Sequence, residues 1–156
     1  MNNEKRRRAL ELMKKYYGGF VEDKIINLFP APTSGGRTNS GITWTYNEDG
    51  TVTAIGTATQ NSWSYGNNPP TNPPTVNLPA GVYTASVSIP FGLVVSNMTD
   101  GGYFYNGSDN ISTFTLDHTT TIKVHARVAR NDTVNATTGI MLEKGSTAHN
   151  WVPYKE

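Results

Sequence analysis

Gly41-Ile42-Thr43-Trp44-Thr45-Tyr46-Asn47-Glu48-Asp49-Gly50-Thr51-Val52-Thr53 is the stretch that decides the fold. Ile42, Trp44 and Tyr46 alternate with Thr43 and Thr45, so one side of an extended chain is apolar and the other polar, the pattern of a half-buried strand. Asn47-Glu48-Asp49-Gly50 then supplies the residues of a tight turn, and Thr51 to Thr59 returns as a second strand. The unit is a β-hairpin, and it needs an antiparallel partner layer to bury its apolar side.

Further strand runs follow at 82–89, 91–96, 102–106, 111–116, 121–130, 139–144 and 151–154. Nine or so short strands with regular turns predict an all-β, antiparallel, jelly-roll-like β-sandwich. Alternation assigns Trp44 and Trp151 to its core. Between the second and third strands, Gly66 to Thr75 holds four prolines, which remove backbone donors and favour an extended course, so this segment reads as an exposed loop.

The chain begins differently. From Asn3 to Tyr17 there is neither Pro nor Gly, and Ala9, Leu10, Leu12, Met13, Tyr16 and Tyr17 recur at spacings of three and four, predicting an amphipathic helix that Gly18-Gly19 ends. Residues 1–24 hold seven Lys and Arg against four Asp and Glu, a balance of +3 in a chain whose net charge is +1. The organisation is therefore a basic helix and connector over 1–24 and a sandwich over 25–156. A helix of about 15 residues is marginal alone in water. Its apolar side needs a partner, which makes Arg6, Arg7, Arg8, Leu10, Met13 and Tyr17 the candidate assembly residues and a homo-oligomer, a trimer of helices, the expected state.

At 156 residues the chain fits one domain plus an appendage. It has no cysteine, which removes disulfides, thiolate metal sites and a cysteine nucleophile. The basic run Lys5 to Arg8 is not followed by an apolar segment, so no secretory signal is read there. No apolar run approaches the roughly 20 residues of a membrane span, and membrane insertion is not expected.

Catalytic chemistry finds little footing. His118, His125 and His149 are not at metal-ligand spacing from one another, and the scattered acids form no recognisable catalytic pair, so neither an enzyme nor a cofactor is expected. Asp100, Asp109 and Asp132 are loop acids without the Asp-x-Asp spacing of a calcium loop. Five Asn-x-Ser/Thr triplets, at Asn97, Asn106, Asn110, Asn131 and Asn135, follow from a composition rich in these residues. The basic run lacks interleaved aromatics, which argues against nucleic acid as a partner. Sugar recognition is better served: flat aromatic faces suit sugar C–H surfaces, and amides or carboxylates suit the hydroxyls. Trp63, Tyr65, Tyr103, Tyr105, Asn106 and Asp109 are the candidate carbohydrate-binding residues.

Ile26-Asn27-Leu28-Phe29, the hairpin from Gly41 to Thr53, Leu78-Pro79-Ala80-Gly81-Val82-Tyr83-Thr84, the alternating run Thr119 to Arg130 and the ending Ile140 to Tyr154 occur in the order found in a known group. Over roughly residues 25–156 the chain resembles the small β-sandwich modules of bacteriophage tail, baseplate and other virion surface proteins. Ile55 before Gly56 departs from the polar residue common there. The resemblance implies a virion structural protein, a small subunit of the tail, baseplate or particle surface, assembled in the host bacterial cytoplasm with other virion proteins as partners. It also admits a receptor-binding module for host cell-surface carbohydrate, or a capsid decoration or head-fibre protein.

Overall fold

The computed structural model describes residues 3–17, 24–66 and 74–156, with helix side chains placed through residue 12. The helix α1 spans Asn3–Tyr17. The strands are β1 (Gly36–Asn39), β2 (Ile42–Tyr46), β3 (Val52–Thr57), β4 (Ser62–Trp63), β5 (Val76–Leu78), β6 (Gly81–Ser86), β7 (Gly92–Asn97), β8 (Tyr103–Gly107), β9 (Ile111–Leu116), β10 (Thr120–Val128), β11 (Thr133–Thr138) and β12 (Met141–Lys144). They form three antiparallel sheets, in the orders β1-β2-β3-β11, β4-β10-β7-β8 with β5 also on β10, and β12-β6-β9. The protein is an all-β fold of the sandwich type with one short N-terminal helix.

The hairpin forms as its sequence dictates. Asp49 accepts hydrogen bonds from the Thr51 backbone N–H at 2.9 Å and hydroxyl at 2.6 Å, and Gly50 takes a positive φ of 89° to close the turn. Ile42, Trp44 and Tyr46 are buried and Thr43 and Thr45 exposed. At the far end of the pair, Gly56 faces Ile42 so closely that a β-carbon would stand 2.1 Å from the Gly41 carbonyl oxygen, which only glycine permits.

The threonine bias has a structural use. Hydroxyls meet across strands at Thr53–Thr137 (2.6 Å), Thr57–Thr133 (2.8 Å) and Thr84–Thr113 (2.9 Å), so β-branched side chains hold register on the polar sides of the sheets. The buried side is continuous, with Trp44, Phe91, Leu93, Val95, Ile122, Val124, Leu142 and Phe114 in one cluster. Trp44 donates its indole N–H to Ser62 and Tyr46 donates its hydroxyl to the Ser64 carbonyl, both at 2.9 Å, tying the first sheet to the second. β11 runs through Gly139 and Ile140 directly into β12, so the first and third sheets share one chain run.

Twelve strands stand among the described residues where about nine were expected. β1, β4, β5 and β11 are short or built from Thr, Asn and Arg, and their partners, not their own apolar content, hold them in place. The expected strand at 151–154 is instead an extended strap without ladder pairing, and Trp151 is half-buried, not a core residue. Asn27 clamps this strap. It is buried, donates to the carbonyls of Ile140 and Val152 (2.9 Å each) and accepts from the backbone N–H of Phe29 (3.0 Å) and Leu142 (3.1 Å). Most of the proline-rich loop, at 67–73, lies outside the described residues.

Candidate carbohydrate-binding face and assembly helix

β10 decides where the functional side chains point. Ile122, Val124, Ala126 and Val128 enter the core, so Lys123, His125 and Arg127 lie on the opposite face of the second sheet. Register extends that face across its neighbours: Arg127 stands opposite Trp63, His125 is in line with Val94 and Asn106, and Lys123 is in line with Ser96 and Tyr103. A register shift between Val95 and Ser96 keeps Tyr103 on this side.

Trp63 and Tyr103 come from strands separated by β10 and β7, roughly 14 Å at the usual strand spacing. Their rings nevertheless meet edge-to-face with centroids 5.8 Å apart, so both lie over the sheet. Trp63 also covers His125, at 5.2 Å between centroids. His125 is only 1% exposed, while Tyr103 remains 54% exposed, leaving an aromatic surface above a buried imidazole. Burial pushes the His125 pKa down to about 3, with the positive charges of Lys123 and Arg37 adding to the effect. The ring is neutral, and its Nδ1 has no hydrogen-bond partner among the described residues; nor does Nε of Arg127, whose Nη1 donates to Ser108 at 3.2 Å.

Of the six residues expected to bind sugar, the fold brings Trp63, Tyr103 and Asn106 to this one face. Tyr65 reaches this ground only from beneath, its ring centroid 5.9 Å from that of His125. It is buried between Phe29 (5.9 Å) and Tyr46 (5.1 Å), and that burial raises its hydroxyl pKa. Tyr105 packs partly against the core and its hydroxyl accepts from the Asp109 backbone N–H at 2.7 Å, so these two hold the β8–β9 turn. Lys123, His125 and Arg127 were not among the expected site residues. Their signal was present in the sequence as three basic side chains at a spacing of two, out of phase with the valines and isoleucine of the same strand.

The candidate assembly residues lie elsewhere. Every described side chain of α1, residues 3–12, is exposed, including Leu10 at 46% and Leu12 at 54%. Arg7 pairs with Glu11 at 3.0 Å and Arg8 with Glu4 at 3.1 Å, one turn apart along the helix. Exposed pairs of this kind add only about 0.3–0.5 kcal/mol each. The side chains of Met13 and Tyr17 lie outside the described residues.

Two other features are structural. Glu143, buried, accepts from the His149 backbone N–H at 3.0 Å and meets its ring Nδ1 at 2.5 Å, pinning the loop after β12. His118 bridges Asp117 and Asp100 at the surface, and those carboxylates, Asp117 foremost, raise its pKa. Among the described residues, no three His, Asp or Glu side chains group as metal ligands, and no helix is long and apolar enough to cross a membrane.

No protein-family pattern, curated protein sequence or solved structure matches the chain.

Proposed function

We propose that the chain is a surface subunit of a bacteriophage particle, held through α1 and presenting its β-sandwich outward. The resemblance of residues 25–156 to virion surface modules points to the particle, and one observation supports the arrangement: all described side chains of α1 are exposed, Leu10 and Leu12 among them, so none of them is covered by the sandwich. The jelly-roll winding within the sandwich class belongs to the same reading, as does the placement on tail or baseplate in preference to the capsid. Antibody to the sandwich, applied in immunogold electron microscopy to particles from a host carrying the gene, tests it. Gold at the tail or baseplate is expected; label over the capsid favours a decoration or head-fibre protein, and unlabelled particles contradict the proposal.

A second reading is favoured by the face of Trp63, Tyr103 and Asn106: recognition of host-surface carbohydrate. An exposed aromatic ring beside an amide on a rigid sheet is the chemistry that stacks on and hydrogen-bonds to a sugar. A glycan array with the full-length protein tests this reading, and Tyr103→Ala should abolish the signal.

A further inference from the structure

The charge on this face narrows what it would hold. β4, β5, β7, β8 and β10, which make up the second sheet, contain no Asp or Glu, whereas β10 alone contributes Lys123 and Arg127. Arg37, on β1 of the first sheet, also acts electrostatically on His125. Two polar atoms here are buried and have no partner among the described residues: Nδ1 of His125, in a side chain 1% exposed, and Nε of Arg127. Both atoms are shut off from solvent, so they add to the polar character of the ground beneath the rings and are not themselves ligand contacts. Trp63 and Tyr103 roof this ground, one ring edge against the other's face.

We propose that this face takes an anionic glycan, its sugar rings lying on Tyr103 and Trp63 and its carboxylate or phosphate groups meeting Arg127 at one end of the face and Lys123 at the other. The proposal rests on the carbohydrate-recognition reading and specifies its ligand. A guanidinium is suited to both anions through paired N–H donors, and an ammonium at Lys123 adds a mobile point charge. A neutral polysaccharide would draw no attraction from these charges.

The test uses two matched pairs of immobilised polysaccharides: phosphomannan against the dephosphorylated mannan, and polygalacturonate against its methyl ester. The full-length protein should bind at least one acidic member about tenfold more tightly than its neutral counterpart, and the preference should fall as salt rises from about 50 to about 500 mM. Preference within the mannan pair assigns the ligand to phosphate, and within the galacturonan pair to carboxylate. Lys123→Gln should remove most of the preference while retaining weak binding, and Tyr103→Ala should remove binding. Both positions are partly or largely exposed, so the fold tolerates the changes, which thermal melts verify. Equal binding within both pairs overturns this inference and leaves carbohydrate recognition standing. Acidic binding that survives both substitutions belongs to the basic helix and overturns it too. Binding to no polysaccharide here or on the array removes both.

Discussion

The indole of Trp151 lies against the α-carbon of Gly139: a β-carbon at position 139 would stand 2.3 Å from the ring. Gly139 is the joint between β11 and β12, and the indole that covers it comes from the C-terminal strap, so the strap is keyed to the joint by a contact that no side chain at 139 permits. Gly139→Ala must displace a rigid ring, not the end of a flexible chain. Overpacking of this kind costs about 1–3 kcal/mol. Trp151→Ala, at a half-buried site, is expected to cost about 2 kcal/mol, less than a fully buried Trp. In a double-mutant cycle by urea denaturation, most of the Gly139→Ala penalty should vanish in the Trp151→Ala background. Additive penalties would show that the ring does not occupy this position.

Asn27 offers a second check on the same region. Its four hydrogen bonds join the segment from Asn27 to Phe29, the chain at Ile140 and Leu142, and the C-terminal strap, and all their partners are backbone groups. Asn27→Ala leaves buried backbone groups unpaired and should cost about 2–4 kcal/mol. Asn27→Asp should be worse, because a carboxylate would face the carbonyls of Ile140 and Val152 in place of an amide donor. Denaturation of the three proteins at neutral pH gives the order directly.

The buried imidazole makes a prediction about acid. With a folded pKa near 3 against 6.5 for the free side chain, His125 stays neutral in the folded protein while the unfolded chain takes up a proton below pH 6.5. Stability due to this group is therefore complete above pH 6.5 and is lost as the pH falls towards 3. The slope is about 1.4 kcal/mol per pH unit, so lowering the pH from 7.5 to about 5 should cost about 2 kcal/mol through His125 alone. His125→Gln removes the titration, and its stability should fall less over that interval. Parallel pH profiles for the two proteins would contradict the burial of this ring.

Much of this architecture is legible in the sequence where side chains alternate strongly. Ile42, Trp44 and Tyr46 announce their strand, Asn47 to Gly50 its turn, and Ile122 to Val128 the long strand that carries the site face. β11 is not legible, because Thr133 to Thr138 offers Val134 as its one large apolar residue and gains its order from pairing with β3. The ending misleads for the opposite reason: Trp151, Val152 and Tyr154 look like a core strand, yet Trp151 and Val152 are held by Gly139 and Asn27 and not by a ladder, and Tyr154 is exposed. For the site, Trp63 and Tyr103 can be picked out as residue types. Their meeting above His125 depends on three intervening strand spacings and a register shift, which no local pattern encodes. Tyr65 shows the converse, an aromatic beside a polar loop that the fold draws inward.

The proposed function requires that copies of the chain, or their docking site, come together through α1. All ten described helix side chains are exposed, and the large apolar ones among them, Leu10 and Leu12, are open to water, which does not favour them. Light scattering of the full-length protein at micromolar concentration is the most direct measurement, with Leu10→Asp as its control. Assembly through α1 requires a mass three times the 17.0 kDa of the chain, falling to that of the single chain in the variant with the β-sheet signal unchanged. A protein that stays at the single-chain mass, and whose solubility and attachment to particles ignore Leu10→Asp, would contradict it.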